Sequence, residues 1–374
     1  MVLRIEELQG ACAKILGAVD SNVLSVLTET LQLKTAGKNL FLSVTTREYY
    51  SCVKLEMEEE IEFHATVNAN LFLKLIAQIT TDTIELRVSD NDLTIKGNGT
   101  YKLPLIFDGD KLLELPEIEI NNSTVEFDVE SEILLSMLQF NAKELTKGVI
   151  SKPIQKMYYL DETGAVTFTT GACVNSFSLP QPIKILLNDR IVKLFKLFKG
   201  GSVHFTLGYD ALTDEIIQTK VRFASSDIVI TAILSCDDTM LRSFPVDGVR
   251  GRATANYPYA VSINRQQMIE TINRLLLFSS STREVIKPFS AFEFRKDSVT
   301  VYDVKKENKE ELFYTTPIDN MNEEIYSAII DLTDLKSTLE TCAEQYVTLN
   351  FGDEQAIVIA RGNVKNVIPE CRTN

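Results

Sequence analysis

The 374 residues carry 45% hydrophobic and 24% charged side chains and a formal net charge of −14, a soluble, globular balance too long for one ordinary core. Six scattered cysteines (12, 52, 173, 236, 342 and 371) form no CxxC pair, which excludes a disulfide scaffold or zinc knuckle and implies the reduced thiols of a cytoplasmic protein. No apolar run reaches the ~18–20 residues that cross a bilayer, acidic Glu6 and Glu7 follow Met1 too soon for a signal peptide, and the negative charge argues against a chain coated by nucleic acid.

Apolar residues at helical spacing predict a helix over 5–19. Residues 31–44 (LQLKTAGKNLFLSV) alternate around a polar turn, the pattern of a hairpin. A second helix follows over 69–78, with Asn68 as its N-cap, and then a second hairpin over 84–95 (IELRVSDNDLTI). The same succession returns. A helix over 131–146, a hairpin over 157–168 (MYYLDETGAVTF), a helix over 188–199 capped by Asn188 and a strand from Val203 make the second unit. A helix over 264–279, a hairpin over 292–301 (FEFRKDSVTV), a helix over 331–340 capped by Asp331 and a strand from Val347 make the third. The turn centres Gly37, Gly164 and Asp297 lie 127 and 133 residues apart, the spacing of an internal repeat. The expected fold is α+β: three repeats, each of two helices on antiparallel sheet, over 1–118, 122–245 and 255–374.

Chemistry-bearing patterns are few. Walker A, GxGxxG, GxSxG and HExxH are missing from the sequence. Ala36-Gly37-Lys38-Asn39 is too short to wrap a phosphate and is read as a hairpin turn. His64 and His204 are placed in separate strands, the acidic run Glu56–Glu60 at a solvated strand end, and the pairs Asp108/Asp110 and Asp237/Asp238 in turns. No cofactor or metal is expected, and no catalytic residue. The cations are more telling: Arg190, Lys193, Lys196 and Lys199 recur every three residues between apolar neighbours, so one face of that helix is basic.

Several stretches in this order resemble the bacterial DNA polymerase III beta subunit, the sliding clamp family. They are residues 67–76 (VNANLFLKLI), the strands near 84–95 and at Tyr101-Lys102-Leu103, Thr169-Thr170-Gly171, Phe244-Pro245, residues 273–279 (NRLLLFS) and Val367-Ile368-Pro369. The resemblance spans nearly the whole chain, and order and spacing carry it, not one motif. It implies half of a six-module ring: a homodimer that encircles duplex DNA without reading sequence, tethers a DNA polymerase and is opened by a clamp loader, away from membranes. Lys74, Lys147, Arg190, Lys193, Lys196 and Lys199 would then face phosphates. Tyr101 and Leu103 would meet Leu277 and Phe278 of the second subunit. A partner-peptide pocket would be lined by Ile154, Thr169, Gly171, Val174, Pro245, Val249, Phe289, Val367, Ile368 and Pro369, with the polar residues after it solvent-exposed. Ala172 and Cys173 stand where the family has a His-Arg pair, and the tail ends in Glu370-Cys371-Arg372-Thr373-Asn374. These departures fit a clamp from a phage or mobile element. The rival readings are a protein-binding repeat scaffold that never encircles DNA, and a hydrolase using the acidic pairs.

Overall fold

Alternation and turn chemistry produce strands wherever the sequence has period two. The computed structural model describes residues 1–20, 25–146, 152–213, 216–234, 238–279, 288–303, 305–321, 324–352 and 355–371. Apart from the short pair Phe107–Asp108 and Lys111–Leu112, its antiparallel strands fall into six runs of four neighbours. From the first third of the chain come Val2–Arg4, Thr83–Val88, Asp92–Lys96 and Thr100–Pro104, and also His64–Asn68, Thr30–Ala36, Asn39–Thr45 and Tyr49–Glu56. The middle third repeats both orders, as Ser123–Glu130, Ser202–Thr213, Ile216–Ala224 and Ile228–Leu234, and as Lys184–Asn188, Met157–Asp161, Gly164–Phe168 and Ala172–Ser176. The last third does so again, as Tyr259–Asn264, Tyr346–Phe351, Ala356–Arg361 and Val364–Pro369, and as Tyr326–Asp331, Phe289–Phe294, Ser298–Tyr302 and Lys309–Phe313.

Two seams fuse these runs into eight-stranded sheets. At the first, Tyr49–Glu56 pairs with Ile228–Leu234, Cys52 opposite Val229. At the second, Ala172–Ser176 pairs with Val364–Pro369, Ala172 opposite Val367. Pairing across the seams outweighs sequence proximity, so the chain divides into two compact units, Met1–Glu132 with Lys193–Ser235, and Ile133–Val192 with Cys236–Asn374. The middle repeat gives one sheet to each.

In the first unit the helices Ile5–Leu16 and Ala69–Ile76 pack on one another, burying Leu8, Ile15, Phe72 and Ile76 at helical spacing. In the second, Arg265–Ser279 and Leu332–Glu340 do the same, with Ile272, Leu335 and Leu339 joined by Phe292, Phe294 and Phe351. The expected caps form: Asn68 accepts from the Leu71 amide, Asn188 from Ile191 and Asp331 from Thr333 and Asp334.

Local geometry departs from the sequence reading in four places. The basic segment is an α-helix only over Asp189–Lys193 and tightens to a 3-10 helix over Leu194–Leu197, because a strict period of three matches three residues per turn. The 131–146 helix contains a π turn at Met137–Asn141, which aims buried Asn141 at the Ala165 and Cys173 carbonyls, 3.4 and 3.3 Å away. Gly164 is not the turn centre. It begins a strand opposite Asp161 with φ +138°, where a Cβ would stand 2.2 Å from the Asn175 carbonyl oxygen. Asp238 opens a helix, Asp238–Ser243, followed by Val246–Thr254, where the sequence suggested a turn-like connector. Asp237 lies outside the described residues.

Candidate partner cleft and charged surfaces

The outer face of the second seam is apolar for a reason of register. Phe168 lies opposite Ala172, Ala172 opposite Val367 and Ala356 opposite Pro369, so these side chains share one face of the sheet. They floor a cleft of about 420 Å³ whose rim is formed by Thr169, Thr170, Gly171, Pro245, Gly248, Val249, Arg252 and Gln355. Gly171 is required here: a Cβ would come within 2.7 Å of the Val367 carbonyl oxygen. Both threonine hydroxyls are turned away from any occupant. Thr169 donates to buried Glu144 at 2.9 Å and Thr170 to buried Asp334 at 2.5 Å.

The Val246–Thr254 helix is pinned as the cleft's wall. Arg250 donates two bonds to Asp161, at 2.6 and 2.8 Å, and lies over the Tyr159 ring. Phe244 stacks on Tyr159 and meets Phe168 edge-on. Burial alone would raise the Asp161 carboxyl, but the Arg250 bonds and those from the Thr163 amide and hydroxyl outweigh it and hold it below its ordinary value. Its bonds to Asp161 push Arg250 in the opposite direction.

Of the ten residues expected in this pocket, Thr169, Gly171, Pro245, Val249, Val367 and Pro369 line it. Val174 is buried in the apolar cluster beneath, and Ile154 packs against that cluster. Ile368 does not belong to the cleft: it is 2% exposed in the cluster on the other face, because neighbours in a strand point oppositely. Phe289, half-buried at the start of its strand, is not among the lining residues. Nor is the tail a detachable wall. Val364–Pro369 is an internal strand of an eight-stranded sheet, so deleting 367–374 would break two pairings. The sequence reading missed Phe168, Ala356, Gln355 and Arg252. Phe168 and Ala356 are recruited by strand register, Gln355 by the bend just before Ala356–Arg361, and Arg252 by a helix with no strong amphipathic pattern.

The first seam carries a cleft of about 350 Å³ at matching positions. Ser43 lies opposite Cys52, Cys52 opposite Val229 and Arg222 opposite Thr231, replacing the Phe168, Ala172, Val367, Ala356 and Pro369 set. A strap of the chain's own, residues 113–122, crosses this face. Lys34 pairs with Glu114 at 3.2 Å, Tyr50 donates to Glu117 at 3.4 Å and Lys220 donates to the Glu119 carbonyl at 2.7 Å. Burial raises the Tyr50 hydroxyl and the Cys52 thiol, so both stay neutral near neutrality.

Arg190, Lys193, Lys196 and Lys199 are exposed, while Ile191, Val192, Leu194, Phe195, Leu197 and Phe198 are buried. Lys74 is exposed on the Ala69–Ile76 helix, and Lys147 lies outside the described residues. Thr100–Pro104 and Lys309–Phe313 each stand at an edge of a four-stranded sheet, paired on one side only. Tyr101 projects from the first, but Leu103 is 5% exposed and fills its own unit's core. Phe313, unforeseen from sequence, is 73% exposed at the end of the second. Leu277 and Phe278 are exposed on the Arg265–Ser279 helix, which Arg274 ties to that edge through Glu310 at 2.8 and 2.7 Å.

Among the described residues, no three His, Cys, Asp or Glu side chains converge as a metal site, and no helix is long and apolar enough to cross a membrane. His204 lies 2.9 Å from Asp128 on neighbouring strands. His64 lies 2.9 Å from Gln32, and burial lowers its pKa.

No family model and no curated protein matches the sequence. Solved structures do match over the whole chain. The DNA polymerase III subunit beta from Pseudomonas aeruginosa is 16% identical with a TM-score of 0.80, each chain covered in full. The DNA polymerase III beta subunit from Thermotoga maritima (13%, TM-score 0.77) and the DNA polymerase sliding clamp from Bacillus subtilis (13%, TM-score 0.75) each cover 100% of this chain and are covered over 99% of their own. The chain has the sliding-clamp fold.

Proposed function

We propose that this chain is a non-enzymatic DNA sliding clamp, three modules over 1–118, 122–245 and 255–374 that close with a second copy into a ring around duplex DNA. One observation carries the reading. In both seams the last strand of one repeat's first run pairs with the last strand of the preceding repeat's second run. The strands left over at these two positions are Thr100–Pro104 and Lys309–Phe313, each at an edge of its four-stranded sheet. Paired between copies, they would make the same seam a third time and hide both edges. Tyr101, Leu277, Phe278 and Phe313 would be the apolar side chains of that joint.

The basic segment supports the DNA half of the reading. Four exposed cations on an otherwise acidic chain would offer phosphate contacts that carry no base information and are screened by salt, which suits sliding. The second-seam cleft would hold a short apolar segment of a DNA polymerase, and a clamp loader would open the joint. Light scattering and electron-microscopic class averages test the ring: a dimer with six lobes, retained on closed circular DNA and released when the circle is cut, is expected. A monomer at micromolar concentration that is never retained would instead favour a protein-binding scaffold.

A further inference from the structure

We propose that the face of the first seam is a docking surface for an extended protein segment in which acids alternate with aliphatic side chains, held closed in this chain by its own residues 113–122. The cis occupant is in view. Glu114, Glu117 and Glu119 are exposed along it, while Leu115 is buried and Ile118 and Ile120 are half-buried against the sheet. It crosses the seam from one repeat to the next. Glu114 pairs with Lys34 of Thr30–Ala36, Glu117 accepts from Tyr50 of Tyr49–Glu56, and the Glu119 carbonyl accepts from Lys220 of Ile216–Ala224. Two cations and a hydroxyl donor thus meet an acidic segment, and this complementarity sets the charge of whatever takes its place.

Two features make the strap a displaceable occupant and not a built part of the sheet. Its middle has no ladder. Among the described residues, no backbone group from Glu114 to Asn121 bonds to another backbone group; the flanking bonds are those of the Leu113 amide to Ile106 and of the Asn122 carbonyl to Tyr209. Residues 116–119 are therefore held down by side chains alone, contacts with which water and salt compete, and such a segment opens locally. The strap also leaves the face unfilled. Beside Glu117 and Ile118 an open cleft of about 350 Å³ remains, bounded by Phe41, Tyr50, Cys52 and Val229, where a close-packed contact would leave none. Its far end, by contrast, is anchored, since Gly208 makes room for Ile120: a Cβ there would stand 2.2 Å from the Ile120 side chain. A segment tethered at both ends competes at an effective concentration of about millimolar, so a free segment of the same chemistry gains the face only when the strap is loosened.

Fluorescence anisotropy on the full chain tests this with a labelled peptide copying residues 112–121 (LLELPEIEIN). Wild type should bind it at least about tenfold more weakly than Glu117→Gly with Ile118→Gly, which loosens the strap and leaves the receiving face intact. Binding to that variant should weaken as salt rises from about 50 mM to about 1 M, and adding Lys34→Glu should abolish it. Half-buried Cys52, in the cleft beside the strap, gives a second measure through site-resolved thiol labelling. Its labelling should be several-fold faster in the loosened variant, and the peptide should slow it again, which would put the peptide on the first seam. Glu114→Gln, which removes only an exposed ion pair, should speed Cys52 labelling about twofold, so the test does not depend on the glycine variant folding. Four results overturn the proposal: no binding by a loosened variant that keeps the wild-type circular dichroism, equally tight binding by wild type, binding that leaves Cys52 unprotected, or labelling unmoved by Glu114→Gln.

Discussion

Asp161→Asn isolates what holds the wall of the cleft in place. The substitution keeps the side chain's shape, and an Asn oxygen can still accept from the Thr163 amide, now 2.9 Å away. What disappears is the charge opposite Arg250, in a pair where Asp161 is 6% and Arg250 26% exposed. Removing one member of a fully buried pair costs about 3–5 kcal/mol, and the partial hydration of Arg250 reduces this to about 2–3 kcal/mol. For a unit of this size that is a fall in Tm of about 4–12 °C. The sign with pH follows from the depressed Asp161 carboxyl. Its contribution is complete above the unfolded value, near 3.9, and is lost as pH falls through the lower folded value. The gap between wild type and Asp161→Asn should therefore be full at neutral pH and close in strong acid. Thermal melts followed by circular dichroism between neutral and acidic pH measure it, and peptide anisotropy should show weaker binding as the wall loosens. Arg250→Met in the Asp161→Asn background should recover part of the loss, since no orphaned cation remains. A loss under about 0.5 kcal/mol at neutral pH, the size of an exposed pair, or a loss equally large in strong acid, would refute the argument.

The ring joint makes a separate demand: Phe313→Glu with Leu277→Glu should convert a dimer to monomer by light scattering, each apolar side chain contributing about 1.5–3 kcal/mol when buried, and a dimer unaffected by both would move the joint elsewhere. Replacing Lys196 and Lys199 by Ala should weaken retention of DNA and flatten its log–log salt slope by up to about 0.9 per lost contact; unchanged binding would make this a solvated face only. Thiol labelling of the native protein at mildly alkaline pH should reach half-buried Cys371 before buried Cys173 and Cys342, and Cys12 should resist, since burial pushes its pKa up to about 12; fast labelling of Cys12 would mean that the helix Ile5–Leu16 does not sit on its core.

Local pattern determined much of this protein by itself. Period-two alternation placed the hairpins, and Asn68, Asn188 and Asp331 started their helices, because each of these signals lies within a dozen residues of chain; their even repetition announced three copies of one strand order. The division of labour between surfaces was decided only by tertiary structure. Both seams join strands far apart in sequence, near residues 52 and 229 and near 172 and 367, and nothing local says which edges will meet. Whether Leu103, Ile368 or Phe313 faces core or solvent depends on which side of a strand is covered, so one residue of register separates a cleft wall from a core side chain. The helix Val246–Thr254 carries few apolar residues to betray it, and its anchor lies 89 residues away at Asp161. Arg252 reaches the cleft for the same reason: a distant ion pair, not its own neighbours in sequence, sets the helix that presents it.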